Sequence, residues 1–82
     1  MQFSSIVVVA RPGRAQELAE RLAALPGIEI HARHDETGRF VVVQEAPDVT
    51  AHEDGFRRIQ ELPDVVSTRL VSHVIDAGGE PT

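Results

Sequence analysis

The chain contains one pattern twice within 82 residues. The runs IVVVARP and FVVVQEAP are both rich in valine and both end in proline, at Pro12 and Pro47. A helix-like segment follows each run and stops at Leu-Pro, first at Leu25 and again at Leu62. A βα unit of this size cannot bury its own apolar face, so we expect the two units to pair around one shared core.

Hydrophobic periodicity predicts the order β-α-β-β-α-β. This order is typical of an α+β, ferredoxin-like fold, a four-stranded antiparallel sheet with two helices on one face and strands one and three at its centre. Gly38 should take a positive φ in the turn between strands two and three, and Thr50 with Glu53 predicts a capping box on the second helix. We expect the domain to span residues 1–76, and residues 77–82 to form a flexible tail.

Two helices cover only one face of a four-stranded sheet, so the other face should be open. We expect Ile28, Ile30 and Ala32 to meet the helices because they alternate with polar residues. We assign the same helix-facing side of the sheet to Ile6, Val8, Val41 and Val43. The open face is then expected to carry an apolar centre of Val7, Val9, Phe40 and Val42, flanked by Ser5, Gln44, Glu29, His31, Arg33, Leu70 and Ser72. An exposed apolar patch of this kind indicates an interaction site, although long neighbours or a homodimer seam could also shield it.

Composition narrows the classes of partner. The formal net charge is −5, which disfavours nucleic acid and favours a basic partner. No apolar run approaches 18 residues, and the N-terminus lacks the pattern of an export signal. The sequence has no cysteine, which removes disulfides and thiolate chemistry. We therefore expect a cytoplasmic protein without an integral membrane segment, either a monomer or a weak homodimer.

The sequence offers no recognisable catalytic or metal-binding constellation. His31 and His34 are an odd number of positions apart on a strand, so they should point to opposite faces. His52 and His73 lie on other elements, and no pair has the spacing of a zinc site. No G-x-S-x-G elbow accompanies the N-terminal serines. We predict no catalytic residue, no metal and no cofactor.

Four segments together resemble the NapD family across nearly the whole chain: SSIVVVARPGR, LAALPGIEIHA, GRFVVVQEAPD and LPDVVSTRLVSHVID. None is a catalytic motif, and the specificity of the resemblance lies in their sum and spacing. The resemblance implies a ferredoxin-like cytoplasmic chaperone of the periplasmic nitrate reductase. Such a chaperone binds the twin-arginine signal peptide of the catalytic subunit precursor and delays its export until the molybdenum cofactor is inserted.

An open sheet face fits this expectation, because an amphipathic helix can lie on an apolar surface and an acidic domain attracts a basic leader. Two other classes share the same element order. One is a dimeric regulatory domain that resembles the effector half of Lrp/AsnC regulators and binds small molecules. The other is an enzyme of the dimeric α+β barrel type, in which His31 or His73 would face a closed cavity.

Overall fold

A computed structural model describes residues 2–75 of the chain, and side chains within residues 2–72. The elements follow the predicted order: β1 (Gln2–Ala10), α1 (Ala15–Ala23), β2 (Ile28–His34), β3 (Arg39–Ala46), α2 (Val49–Gln60) and β4 (Val65–Ile75). The tail predicted for residues 77–82 lies outside the described residues.

The four strands form one antiparallel sheet in the order β2-β3-β1-β4. This arrangement confirms the ferredoxin-like fold, with β1 and β3 adjacent at the centre. The pairing interleaves the two βα units, because β3 of the second unit lies between β1 and β2 of the first. Each unit therefore completes the core of the other, as the repeat in the sequence predicts.

The repeated Leu-Pro pairs end both helices in the same way. The residue that follows each pair takes a left-handed conformation, with φ of 76° at Gly27 and 75° at Asp64. At Gly27 the backbone of Glu45 comes so close that an added Cβ would lie 2.6 Å from the Glu45 carbonyl oxygen. Glycine is therefore required there both by conformation and by space.

Asp64 can carry a side chain at the equivalent position because its carboxylate has partners on the other unit. Its two oxygens lie 3.2 Å from Nε of Arg14 and 3.8 Å from a terminal nitrogen of Arg21. The hydrogen bond with Asp64 and the attraction of its charge raise the pKa of Arg14 above the ordinary value. The Asp64 carbonyl also accepts a hydrogen bond from the backbone N–H of Arg11. These contacts attach the start of β4 to α1 and the loop that precedes it.

The core lies between the helices and one face of the sheet. β1 alternates strictly between buried and half-buried side chains along its whole length. Its buried residues Ile6, Val8 and Ala10 pack with Leu18 and Leu22 of α1. The prediction for the helix-facing side of β1 is therefore confirmed.

The predicted faces of β3 are wrong. Phe40, Val42 and Gln44 face the helices and are 1%, 0% and 3% exposed, whereas Val41 and Val43 lie on the other face. The pairing with β1 sets this register, because Val42 lies opposite Ile6 and Phe40 opposite Val8. The reason is packing: the helix-facing side buries the large ring of Phe40.

A bulge in β2 accounts for a second difference. Ile30 pairs with Val42, but the next paired residue is Ala32, opposite Val41. The extra residue, His31, shifts the remainder of the strand to the opposite faces. Ala32 therefore lies on the open side, and Arg33 turns to the helix side. The Arg33 guanidinium lies 5.7 Å from the centroid of the Phe40 ring and donates a hydrogen bond to Gln16.

The second helix begins slightly earlier than its predicted capping box. The side chain of Asp48 accepts a hydrogen bond of 2.8 Å from the backbone N–H of Ala51, and the helix starts at Val49. Asp48 has extended backbone angles, as an N-cap residue should. The predicted role of Thr50 is therefore wrong, because the preceding aspartate already caps the helix.

Candidate functional site

The sheet face opposite the helices is the candidate site, and we call it the open face. Its members follow from the register, since residues directly opposite each other in an antiparallel sheet share a face. At its centre, Val7 lies opposite Val41 and Ser5 lies opposite Val43. The open face comprises Phe3, Ser5, Val7, Val9, Glu29, Ala32, His34, Arg39, Val41, Val43, Glu45, Ser67, Arg69 and Ser72.

An apolar stripe runs along the middle of the open face. It consists of Phe3, Val7 and Val9 on β1 and Val41 and Val43 on β3. All five side chains are half-buried by their neighbours, and neither of the two described helices covers them. From Phe3 to Val9 the stripe spans six residue steps, or about 20 Å at the rise of a β-strand. A flat apolar surface of this length is suited to a peptide partner.

A shallow depression lies at each end of the stripe. One, of about 360 Å³, is lined by Phe3, Glu29, Val43 and Glu45 together with the start of β2. The other, of about 320 Å³, is lined mainly by Ala32, His34, Arg39 and Val41. Both are open to solvent, and neither encloses a small molecule. The shape of the open face therefore resembles a docking surface more than a closed ligand cavity.

Charges of opposite sign occupy the two ends of the open face. Glu45, opposite Phe3, lies at one end, and Glu29, opposite Val43, lies one residue pair closer to the centre. Arg39 lies opposite Val9 at the other end, and Arg69 lies opposite Val7 on the edge strand. All four side chains are exposed, and none forms an ion pair within the part of the chain whose side chains are described. Their charges therefore remain available to a partner.

The structure places the ten sequence-predicted site residues in three groups. Those on the open face are Ser5, Val7, Val9, Glu29 and Ser72. His31 is the exposed, bulged residue of β2. The third group lies on the helix side: Phe40, Val42, Gln44 and Leu70. The placement of this last group on the open face is wrong, and a peptide contact by any of the ten stays a prediction.

Leu70 is displaced by another bulge. Ser72 lies opposite Ser5, but Leu70 lies opposite Ile6, so Val71 is the extra residue of β4. The bulge turns Leu70 toward α2, where it lines a groove with Val49 and Phe56. Leu70 and Ser72 therefore belong to different faces although they are two residues apart.

Phe3, Val41, Val43 and Arg69 are among the members of the open face that sequence reasoning missed. Phe3 has the same parity as Ser5 and Val7, so the alternation of β1 was sufficient to find it. Val41 and Val43 carried no such signal, because they belong to an uninterrupted run of valines. Arg69 could be placed only from the bulged register of β4.

A buried polar cluster lies on the other side of the sheet, under α2. Nε2 of His52 lies 2.8 Å from Oγ of Ser4, and the Gln44 side-chain amide donates a hydrogen bond to the carbonyl of His52. A serine–histidine pair invites comparison with a nucleophile and its base. Ser4 and His52 are only 2% and 6% exposed, however, so no substrate can reach the hydroxyl. The cluster instead links β1 and β3 to the first turn of α2.

Other site classes receive no support from the described residues. Within residues 2–75 no group of three or more histidines and carboxylates could hold a metal ion. In the same range no helix is long and apolar enough to cross a membrane. The open face is thus the surface from which a function is best argued.

Comparison with known proteins gives a consistent family. The model of the family described as NapD protein matches residues 1–77. The chain is 30% identical over 81 residues to Chaperone NapD of Escherichia coli K12, covering 99% of this chain and 93% of that protein. It is 37% identical over 71 residues to Chaperone NapD of Paracoccus pantotrophus, covering 87% of this chain and 62% of that protein.

Two solved structures share the fold of this chain. The solution structure of the E. coli Tat proofreading chaperone protein NapD matches with a TM-score of 0.82 and 29% identity, covering 98% of this chain and 84% of that one. The hypothetical protein PHS023 of Pyrococcus horikoshii matches with a TM-score of 0.78 at 18% identity, covering 95% of this chain and 94% of that one, which shows the fold alone. The family match and the curated relatives establish that this chain belongs to the NapD family.

Proposed function

We propose that this protein is a cytoplasmic chaperone that binds a twin-arginine signal peptide on its open face. The signal peptide would be that of the catalytic subunit precursor of the periplasmic nitrate reductase. Occupation of the peptide would delay export of the precursor until its molybdenum cofactor has been inserted. This task needs binding and release only, so the proposal assigns no catalytic residue, metal or cofactor to the chaperone itself.

One observation carries the proposal: an apolar stripe about 20 Å long lies on the sheet face that neither α1 nor α2 covers, beside charges that form no ion pair among the described side chains. A helix of the same length contains about 13 residues. This is enough for an arginine pair and the start of the apolar segment that follows it in a signal peptide. The acidic character of the chain, with a net charge of −5, favours approach of the basic end of such a peptide.

Titration of the chaperone with a synthetic signal peptide tests the proposal. Isothermal calorimetry should show saturable binding with one peptide per chain. A peptide with two lysines in place of the arginines should bind more weakly, because lysine lacks the planar fork that matches a carboxylate. Absence of saturable binding would contradict the proposal.

A dimeric regulatory domain remains the second candidate, because the same apolar stripe could seal two copies together. Light scattering with and without peptide separates the two functions. The chaperone should be a monomer, or a weak dimer that the peptide dissociates. A stable dimer whose size the peptide does not change would favour the regulatory domain.

A further inference from the structure

The charges of the open face differ from charges elsewhere on the molecule. Arg14 and Arg33, which lie away from this face, each contact an aspartate within the same chain. On the open face, by contrast, Glu29 and Glu45 toward one end and Arg39 at the other have no ion-pair partner among the described side chains. The open face therefore carries negative charge toward one end of the apolar stripe and positive charge toward the other.

The two carboxylates are close enough to act together. Glu29 lies opposite Val43, and Glu45 is two residues further along the same strand as Val43. Diagonal neighbours of this kind are about 7–8 Å apart, a spacing that suits two guanidinium groups rather than one. Phe3, opposite Glu45, provides apolar surface for the stems of long basic side chains.

The other half of the stripe disfavours a basic group. Arg39 lies beside Val9, and Arg69 lies opposite Val7 on the edge strand. An arginine pair placed there would face like charges, which weakens binding in that orientation. Apolar surface alone does not distinguish the two directions of a peptide, whereas this charge pattern does.

We propose that the open face binds the signal peptide in one direction only, with the arginine pair at Glu29 and Glu45 and the apolar segment running over Val43 and Val41 toward Arg39. This inference rests on the proposed function and deepens it. Glu29 and Glu45 become specificity-determining residues for the arginine pair. Arg39 and Arg69 become the residues that reject the reversed peptide.

Cysteine cross-linking tests the direction, because the chain has no cysteine of its own. Ser72 lies opposite Ser5, toward the acidic end, and Ser67 lies opposite Val9 at the arginine end. Both serines are exposed on β4, so Ser72→Cys and Ser67→Cys form a matched pair. A peptide that carries one cysteine just before its arginine pair, activated as a mixed disulfide with thionitrobenzoate, should exchange at least about fivefold faster with Ser72→Cys than with Ser67→Cys, because the nearby thiolate displaces thionitrobenzoate. Moving the peptide cysteine to the far end of the apolar segment should reverse this preference.

Charge removal provides a second readout. The double variant Glu29→Gln, Glu45→Gln should bind the twin-arginine peptide roughly twofold to thirtyfold more weakly, the range for two exposed ion pairs. The same variant should bind a peptide with two glutamines in place of the arginines as well as the unmodified chaperone does. A matched variant, Glu53→Gln on the exposed surface of α2, should leave the affinity for both peptides unchanged.

The outcomes separate this inference from the proposed function. Saturable binding with equal or reversed cross-linking would overturn the direction and leave the chaperone function in place. Saturable binding without a cross-link at either serine, or with both peptides weakened equally by the double variant, would also overturn the inference. Absence of any binding to the unmodified chaperone would overturn both.

Discussion

Replacement of Val42 by glutamine should unfold the domain or bring it close to unfolding. Val42 is fully buried beneath the helices, so the change removes about 1.5–3 kcal/mol of apolar burial. The buried amide adds about 1–3 kcal/mol, and the larger side chain adds a similar cost in strain. Together these reach about 4–9 kcal/mol. A domain of this length has a total stability of about 4–12 kcal/mol.

The matched control is Val41→Gln on the same strand. Val41 lies opposite Val7 on the open face, where a glutamine amide reaches water, so the free energy of unfolding should change by less than about 1 kcal/mol. Glutamine adds no charge, so a loss of peptide binding would report only lost apolar contact. We expect the affinity to fall about fivefold to tenfold, as for partial exposure of one valine.

Urea denaturation followed by circular dichroism measures the stability of both variants, and calorimetric titration measures peptide binding by Val41→Gln. Val41→Gln should unfold near the midpoint of the unmodified chain, whereas Val42→Gln should unfold at a much lower urea concentration or lack a native baseline altogether. The reverse result, in which Val42→Gln folds normally and Val41→Gln unfolds, would refute the assignment of the two faces of β3.

Three further predictions follow from the same geometry. On β1, Val8→Asp should abolish the cooperative thermal transition because Val8 is fully buried. Val7→Asp on the open face should retain the transition. Equal melting temperatures of the two variants would show that Val8 is not a core residue. Gly27→Ala should lower the free energy of unfolding, measured in urea, by at least about 1–2 kcal/mol. The φ of Gly27 is 76°, and the Cβ of an alanine would meet the Glu45 carbonyl. An unchanged midpoint would show that this backbone is free to move. In stopped-flow experiments, added salt should slow peptide association more than it speeds dissociation, and a flat association rate would leave the acidic surface without a role in steering.

Sequence reasoning recovers the order and pairing of the elements because those features are recorded locally. The alternation of β1 and the Leu-Pro stops of both helices are visible in short windows. The second unit repeats them, so two independent segments indicate the same fold. The left-handed residues at Gly27 and Asp64 show that the repeat extends to the backbone angles that end each helix.

The faces on which the residues of β2, β3 and β4 lie depend on pairing partners elsewhere in the chain. Residues 41 to 43 are all valine, so only the pairing of β3 with β1 shows which of them face the helices. The polarity of Gln44 predicts a solvent-exposed face. Its side chain instead donates a hydrogen bond to the carbonyl of His52 on α2. The bulges at His31 and Val71 exchange the two faces for the residues that follow them in β2 and β4. No glycine or proline at these positions marks either bulge in the sequence.

Methyl NMR of the chaperone during titration with the signal peptide tests the central proposal most directly. Valine and leucine methyl groups report each face separately, which backbone amides of a sheet cannot do. Binding on the open face predicts that shifts and intermolecular contacts concentrate on Val7, Val41 and Val43. The contrary result would be a response centred on Val49 and Leu70, in the groove between α2 and β4, while the methyl groups of the apolar stripe stay unchanged.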